Sequence, residues 1–290
     1  MSIAIVTGSS TGIGFATALR LAREGYTVHA TVRSEASGAA LLAAAGDLPV
    51  RLLVLDVDSD ESVAAGIGAV IAAEGRIDVL VNNAGVSGGD AVEETPLAEF
   101  QSVMNTNAWG IVRCTQAVLP TMREQRSGCI VNVTSLAGRV SAPGMGAYSA
   151  SKWAAEAITE ALAAEVAGFG IRVAAIEPGV VATPIFDKAM ERPMDMESPY
   201  LLVTLRTSRL LMAGLATHAA TPDETAAVIW EAVSTDTPRL RYTVGIDAAT
   251  FVAARREFSD EDFLAALTSP DEAFWQERML AWYATDVPPM

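Results

Sequence analysis

The chain has 290 residues, 51% of them hydrophobic and 6% aromatic, and a formal charge of −15 at neutral pH. That length accommodates one large α/β domain or two small ones, with a core built from Ala, Val, Leu and Ile. The acidic balance and the lack of any basic run exclude a nucleic-acid surface, because counterion release needs clustered Lys and Arg.

No early segment joins a basic flank to an apolar stretch and a cleavage site, and no uncharged apolar run reaches the roughly 18 residues of a membrane span. A cytoplasmic protein without a membrane span is expected. Cys114 and Cys129 lack metal or redox spacing and read as buried fillers.

Apolar runs rich in β-branched residues recur at 3–7, 26–32, 50–55, 77–82, 128–134 and 171–176, with a last strand near 241–244. Segments of helical apolar spacing separate most of them. Such alternation implies right-handed crossovers and an α/β fold with a doubly wound parallel sheet. No linker or repeat divides residues 1–290, so one domain is expected.

The first strand runs into TGSSTGIG, which is not the G-x-G-x-x-G dinucleotide spacing. Gly8 suits a sharp turn, Gly12 a close approach of backbone to a pyrophosphate, and Gly14 a helix packed closely beneath. Ser10, Thr11 and Ile13 complete the loop, and the amides of the following helix face the phosphates.

Strand two, YTVHATVRS, places Val32 where an acidic residue would hold the adenosine ribose, and Arg33 follows. Arg33, with the hydroxyls of Ser34 and of Ser9 or Ser10, suits a 2′-phosphate, so NADP(H) is expected and NAD is the alternative. The competing reading of Arg33 is a solvated surface guanidinium. After strand three, Asp56 in RLLVLDVDS suits the adenine amino group beside the Val57 amide, or else caps the next helix.

Strand four ends in NNAG, and MNTNAWG follows in the next helical segment. There Asn107 either interrupts its helix and holds a water between Lys152 and solvent, or is a capping or core amide. Strand five ends in TSLAG with Ser135, and AYSASK places Tyr148 and Lys152 four residues apart on one helix face. The ammonium is expected to lower the phenol pKa, making Tyr148 a general acid in reduction and a base in oxidation. Ser135 would hold the substrate oxygen beside it.

Strand six ends in EPGVVATP. The loops after strands one, four, five and six should converge, since ligands bind beyond the carboxyl ends of strands in open α/β sheets. Residues 184–216, a Met-rich stretch with Pro184, Pro193 and Pro199 leading into a helix, read as a substrate lid. Residues 247–290 form an aromatic extension, read as core cover or subunit contact ahead of a substrate role. His29 and His218 follow no nucleophile elbow and give no zinc spacing, and Asn132 is a glycosylation match inside a strand.

Together TGSSTGIG, NNAG, Asn107, Ser135, Tyr148, Lys152 and PGVVAT resemble the short-chain dehydrogenase/reductase family, over roughly residues 3–245. The resemblance implies a Rossmann-type sheet, NAD(P) binding, and Asn107, Ser135, Tyr148 and Lys152 as the catalytic set. It implies that Asn83, Ala84, Gly85, Pro178 and Gly179 line the cofactor and that Val181 and Thr183 meet the nicotinamide carboxamide. A homodimer or homotetramer through the helices ending near 125 and 168 is a further implication.

TQAVLPTMR and RYTVGIDA are similar to the hydroxysteroid and retinol dehydrogenase branch, which implies a small-molecule secondary alcohol or ketone with a bulky apolar body, steroid-like or aromatic, as substrate. One departure is Thr11, which stands where the family's other NADP device is basic. The rival reading, a non-catalytic NADP-binding regulator, conflicts with retention of all four catalytic positions.

Overall fold

The computed structural model describes residues 2–186 and 195–288. Seven parallel strands form one sheet in the order β3-β2-β1-β4-β5-β6-β7: β1 Ser2–Val6, β2 Tyr26–Val32, β3 Val50–Val54, β4 Val79–Asn82, β5 Gly128–Val133, β6 Ile171–Pro178 and β7 Arg241–Val244. The order reverses beside β1, where β2 and β4 flank it, so a crevice opens at the carboxyl ends there. The expected doubly wound sheet is present.

Two boundaries differ from the sequence reading by two residues, the others by one at most. The strand expected over 77–82 begins at Val79: the Asp78 amide and carbonyl still bond Ile3 and Cys129, each at 2.9 Å, but the Ile3 amide turns to the Asp78 carboxylate at 2.7 Å. Strand β6 runs past Ile176 to Pro178, paired with β7 through Glu177 and Thr243. Glu177 marks an end in the sequence only because it is charged; it is buried and paired with Arg139 at 2.9 Å.

Helices cover both faces. On one, α1 (Gly12–Arg23), α2 (Glu35–Ala45) and α8 (Pro222–Ser234) shield a cluster that includes Val6, Leu21, Leu41 and Ile229. On the other, α3 (Asp60–Glu74), α5 (Gly110–Gln125) and α6 (Gly146–Val166) enclose Ile5, Ile67, Leu80 and Ile130. Local signals set the helix ends: Ser59 caps α3 and Gly75 closes it at φ 69°, while Thr221 and Glu224 form a capping box around Pro222 in α8. A short helix α4 (Leu97–Met104) runs through a π-helical turn, Asn105–Trp109, into α5.

After β6 come α7 (Leu201–Thr217) and, beyond β7, α9 (Ile246–Ala254), α10 (Asp260–Thr268) and α11 (Glu272–Tyr283). Here the extension makes a third core: Phe251 stacks on Tyr283 at 4.5 Å and Phe258 on Trp282 at 4.2 Å, with Leu136 and Val140 in the same cluster. Helix α7 is tied to it by Arg206, which is buried, bonds Glu272 at 2.9 Å and lies 5.3 Å from the Trp275 ring. Of the lid expected over 184–216, residues 187–194 lie outside the described residues; α7 is the helix expected in it. No helix among the described residues is long and apolar enough to cross a membrane.

Candidate active site

Two cavities meet at the carboxyl ends of the central strands. The first is a groove of about 440 Å³ crossing β1, β4 and β5. Every cofactor-contacting candidate from the sequence lines it except Ser9 and Gly14: Gly8, Ser10, Thr11, Gly12, Ile13, Arg33, Ser34, Asp56, Val57, Asn83, Ala84, Gly85, Tyr148, Lys152, Pro178, Gly179, Val181 and Thr183.

The glycine turn has the conformation its residues suggest. Gly8 and Gly12 adopt φ of 68° and 59°, and a Cβ on Gly8 would lie 2.8 Å from the Ala84 backbone. Gly14 packs onto the turn itself, where a Cβ would be 2.4 Å from the Gly8 carbonyl oxygen. Thr11 precedes α1 without a side-chain cap, and the first turn holds no acidic residue, so its amides and dipole suit an anion. The Asn83 amide clamps the turn by donating to the Thr7 and Gly8 carbonyls at 2.8 and 3.1 Å.

Two details differ from expectation. Ser9 is buried and donates to the Val6 carbonyl at 2.8 Å, which removes it as a phosphate contact. Asp56 does not cap α3; Ser59 does, while Asp56 accepts from the Asp58 amide at 3.1 Å. Arg33 is exposed on the groove wall, and Ser34 caps α2 through its hydroxyl.

The second cavity, about 410 Å³, lies under α7 and is lined largely by apolar side chains such as Leu136, Val140, Ile185 and Leu211. Ser135 and Tyr148 line both cavities. The Ser135 hydroxyl accepts from the Ala137 amide at 3.0 Å and donates to the Pro178 carbonyl at 3.5 Å. Lys152 is buried, donates to the Val133 carbonyl at 2.9 Å, and its Nζ lies 5.7 Å from the Tyr148 ring centre.

Burial pushes the Lys152 ammonium down to about 8, partly opposed by the Glu156 carboxylate one turn along α6. Burial raises the Tyr148 phenol, and its bond to Ser135 pulls the other way. The phenol is therefore shifted up rather than down in the protein alone, because desolvation of its anion outweighs the bond to Ser135.

Asn107 does interrupt its helix, at the π-turn. Its side chain accepts from the Val86 amide at 2.8 Å and donates to the Val86 carbonyl and Ser151 hydroxyl, each at 2.9 Å. Ser151 in turn donates to the Tyr148 carbonyl at 2.7 Å, so Asn107 braces the helix that carries Tyr148. A Cβ on Gly85 would lie 3.3 Å from Asn107 Oδ1 and 3.7 Å from Lys152 Nζ, which brings these groups to one place.

The match with known proteins follows this geometry. The family model for short chain dehydrogenase covers residues 2–193. The chain belongs to the short-chain dehydrogenase/reductase family. It is 34% identical to Oxidoreductase BOA17 of Botryotinia fuckeliana over 95% of this chain and 97% of that one. It is 40% identical to retinol dehydrogenase 8 of Bos taurus over 67% and 64% of the two chains. A solved short-chain dehydrogenase from Streptomyces avermitilis superposes with a TM-score of 0.79 at 35% identity, covering 92% of this chain and 94% of that one. Membership makes the chain an NAD(P)-binding oxidoreductase acting on CH–OH groups, and the groove's anion-ready helix end and glycine cradle fit that dinucleotide.

Several site residues escaped the sequence reading. Thr7 accepts from the Asn83 and Ala84 amides and Thr31 from that of Gly8, joining the three loops. Asp247, from RYTVGIDA, accepts from the Val180 amide at 2.7 Å and lines the apolar cavity. Tyr283 and Thr285 line it too, so the C-terminal extension is a cavity wall as well as a core. His218 Nε2 lies 2.7 Å from Thr285 Oγ1, but that hydroxyl donates to the Tyr283 carbonyl, so the ring donates to Thr285 rather than activating it. Burial pushes the Cys114 and Cys129 thiols up to about 12 and 11, as befits inert fillers.

Proposed function

We propose that the chain is an NADP(H)-dependent oxidoreductase that interconverts an apolar ketone, or an aldehyde, and its alcohol. The observation that carries this reading is that Ser135 and Tyr148 stand where the cofactor groove opens into the apolar cavity. The α1 amides, Ser10, Thr11, Gly12 and Ile13 would hold the pyrophosphate, Arg33 and Ser34 the 2′-phosphate, and Asp56 and Val57 the adenine. Asn83, Ala84, Gly85, Pro178, Gly179, Val181 and Thr183 would border the nicotinamide half. When bound, the dinucleotide supplies or takes up the hydride.

In reduction, Tyr148 donates its proton to the substrate oxygen, which Ser135 holds in place. The raised phenol suits it to the acid role, because it stays protonated at neutral pH. Lys152, fixed by the Val133 carbonyl, places a positive charge beside the oxygen that gains negative charge when Tyr148 gives up its proton. Asn107 positions the helix beneath through Ser151. In oxidation the proton returns to Tyr148.

An apolar, uncharged substrate is supported by the lining, which among the described residues includes no Lys, Arg or His but includes Asp90, Glu99 and Asp247. The chain is read as one NAD(P)-binding domain, since the C-terminal aromatic cluster shares Leu136 and Val140 with the loop after β5. Homo-oligomerisation is supported by Trp109 and Trp153, 47% and 50% exposed on the π-turn and α6. Buried, unpaired thiols suit a cytoplasmic setting.

The test follows nicotinamide absorbance with apolar ketones and alcohols. Tyr148→Phe is expected to abolish turnover, and Arg33→Ala to raise the NADPH KM roughly tenfold while sparing NADH, the loss of one charge-assisted phosphate contact. Full turnover by Tyr148→Phe refutes the chemistry, and an unmoved NADPH KM in Arg33→Ala refutes the cofactor preference.

A further inference from the structure

The cavity has a second polar end, built by the C-terminal extension. Tyr283 is 8% exposed and lines the cavity, yet among the described residues no protein group bonds its hydroxyl. Its neighbours on that wall are all bonded within the protein: Thr204 donates to the Tyr200 carbonyl at 3.1 Å, Ser208 to that of Thr204 at 3.2 Å, and Thr285 to that of Tyr283 at 3.0 Å. A phenol this enclosed ordinarily finds a partner. Stacking of its ring on Phe251 at 4.5 Å keeps it from swinging away to reach one.

Asp247 sets the character of this end. It is 2% exposed, its Oδ2 is taken by the Val180 amide, and its Oδ1 has no hydrogen-bond partner among the described residues. Burial raises the Asp247 carboxyl, and the Val180 amide, the nearby Ala248 amide and His218 pull the other way. Burial of the Tyr283 ring, and after it the Asp247 charge, push the phenol upward, so Tyr283 keeps its proton and acts as a donor. The same charge disfavours a carboxylate or phosphate there. Through Val180 and Gly179, Asp247 also adjoins the loop whose Pro178 carbonyl receives the Ser135 hydroxyl.

We propose that the Tyr283 hydroxyl is a substrate subsite that donates a hydrogen bond to a second, uncharged oxygen of the substrate, a carbonyl or a hydroxyl. The preferred substrates are then diones and hydroxyketones of an apolar skeleton, not the corresponding simple ketones. This rests on the oxidoreductase reading above.

The experiment compares kcat/KM for cyclohexanone with that for a cyclohexanedione and a hydroxycyclohexanone, in the wild type and in Tyr283→Phe, which keeps the stacked ring. The wild type should prefer the doubly oxygenated compounds, and Tyr283→Phe should reduce that preference about tenfold, the scale of one buried hydrogen bond. Thermal melts of both proteins check that the fold is retained. A wild type without preference, or a preference that survives in Tyr283→Phe, overturns the subsite. If none of these compounds is turned over, the redox reading is what fails. The same affinity ratio, measured by quenching of the nearby Trp275 and Trp282 fluorescence, then decides the subsite alone.

Discussion

Glu156→Gln isolates what keeps Lys152 charged. Glu156 follows Lys152 by one helical turn, is buried, and bonds Arg241 at 2.9 Å through one oxygen while the other has no bond partner. Residues so spaced have Cβ atoms about 6 Å apart. Two unit charges at roughly that distance and an effective dielectric constant of about 20 interact by about 2.8 kcal/mol, or about 2 pKa units. Arg241 cancels part of the carboxylate's field, leaving a shift of about one unit.

The sign follows from the ammonium being the charged form. Removing the carboxylate lowers a Lys152 pKa that already stands at about 8, so the ammonium is lost at lower pH. In ketone reduction with saturating NADPH, the limb of kcat/KM that falls toward alkaline pH should move about one unit toward acid. The displacement between the two proteins is the readout, since bound dinucleotide moves both midpoints together. Superimposable limbs, or a displacement toward alkaline pH, would refute the coupling of Glu156 to Lys152.

Gly85→Val should reduce kcat more than tenfold with little change in Tm, because its Cβ would already stand 3.3 Å from Asn107 Oδ1 and 3.7 Å from Lys152 Nζ. A fall in Tm with kcat retained would contradict it. Trp275→Ala removes a fully buried ring and the aromatic partner of Arg206 and Arg209, so it should cost about 3–5 kcal/mol in urea unfolding. Its loss should also raise substrate KM, since Arg206 ties the cavity-lining helix α7 to α11.

Much of the frame was legible because its signals are local. Each strand is an apolar β-branched run bounded by turn residues, and each of the four converging loops begins where such a run stops, as with Ser135 after Val133 and Gly8 after Val6. Tyr148 and Lys152 were legible because helical spacing alone places them on one face. The direction of the Tyr148 shift was not, since it depends on how far the β5 and β6 loops exclude water, a property of the closed site. Nor does any local pattern announce Tyr283, whose place on the cavity wall comes from the fold returning a helix, Glu272–Tyr283, to the loop bearing Leu136.

The loop Pro178–Gly179–Val180 is where these two kinds of information meet. Its backbone is fixed on one side by the Gly179 amide bonding the Val244 carbonyl at 2.9 Å and on the other by Val180 bonding Asp247. Gly179 has no room for a side chain, because a Cβ would fall 2.1 Å from the Asp247 carboxylate. Thus a family motif, PGVVAT, takes its position from an acidic residue beyond the last strand, and the same residue sets the potential at Tyr283. The geometry of the groove and that of the apolar cavity are consequently coupled through one carboxylate, and the extension that carries it walls the cavity as the glycine turn walls the groove.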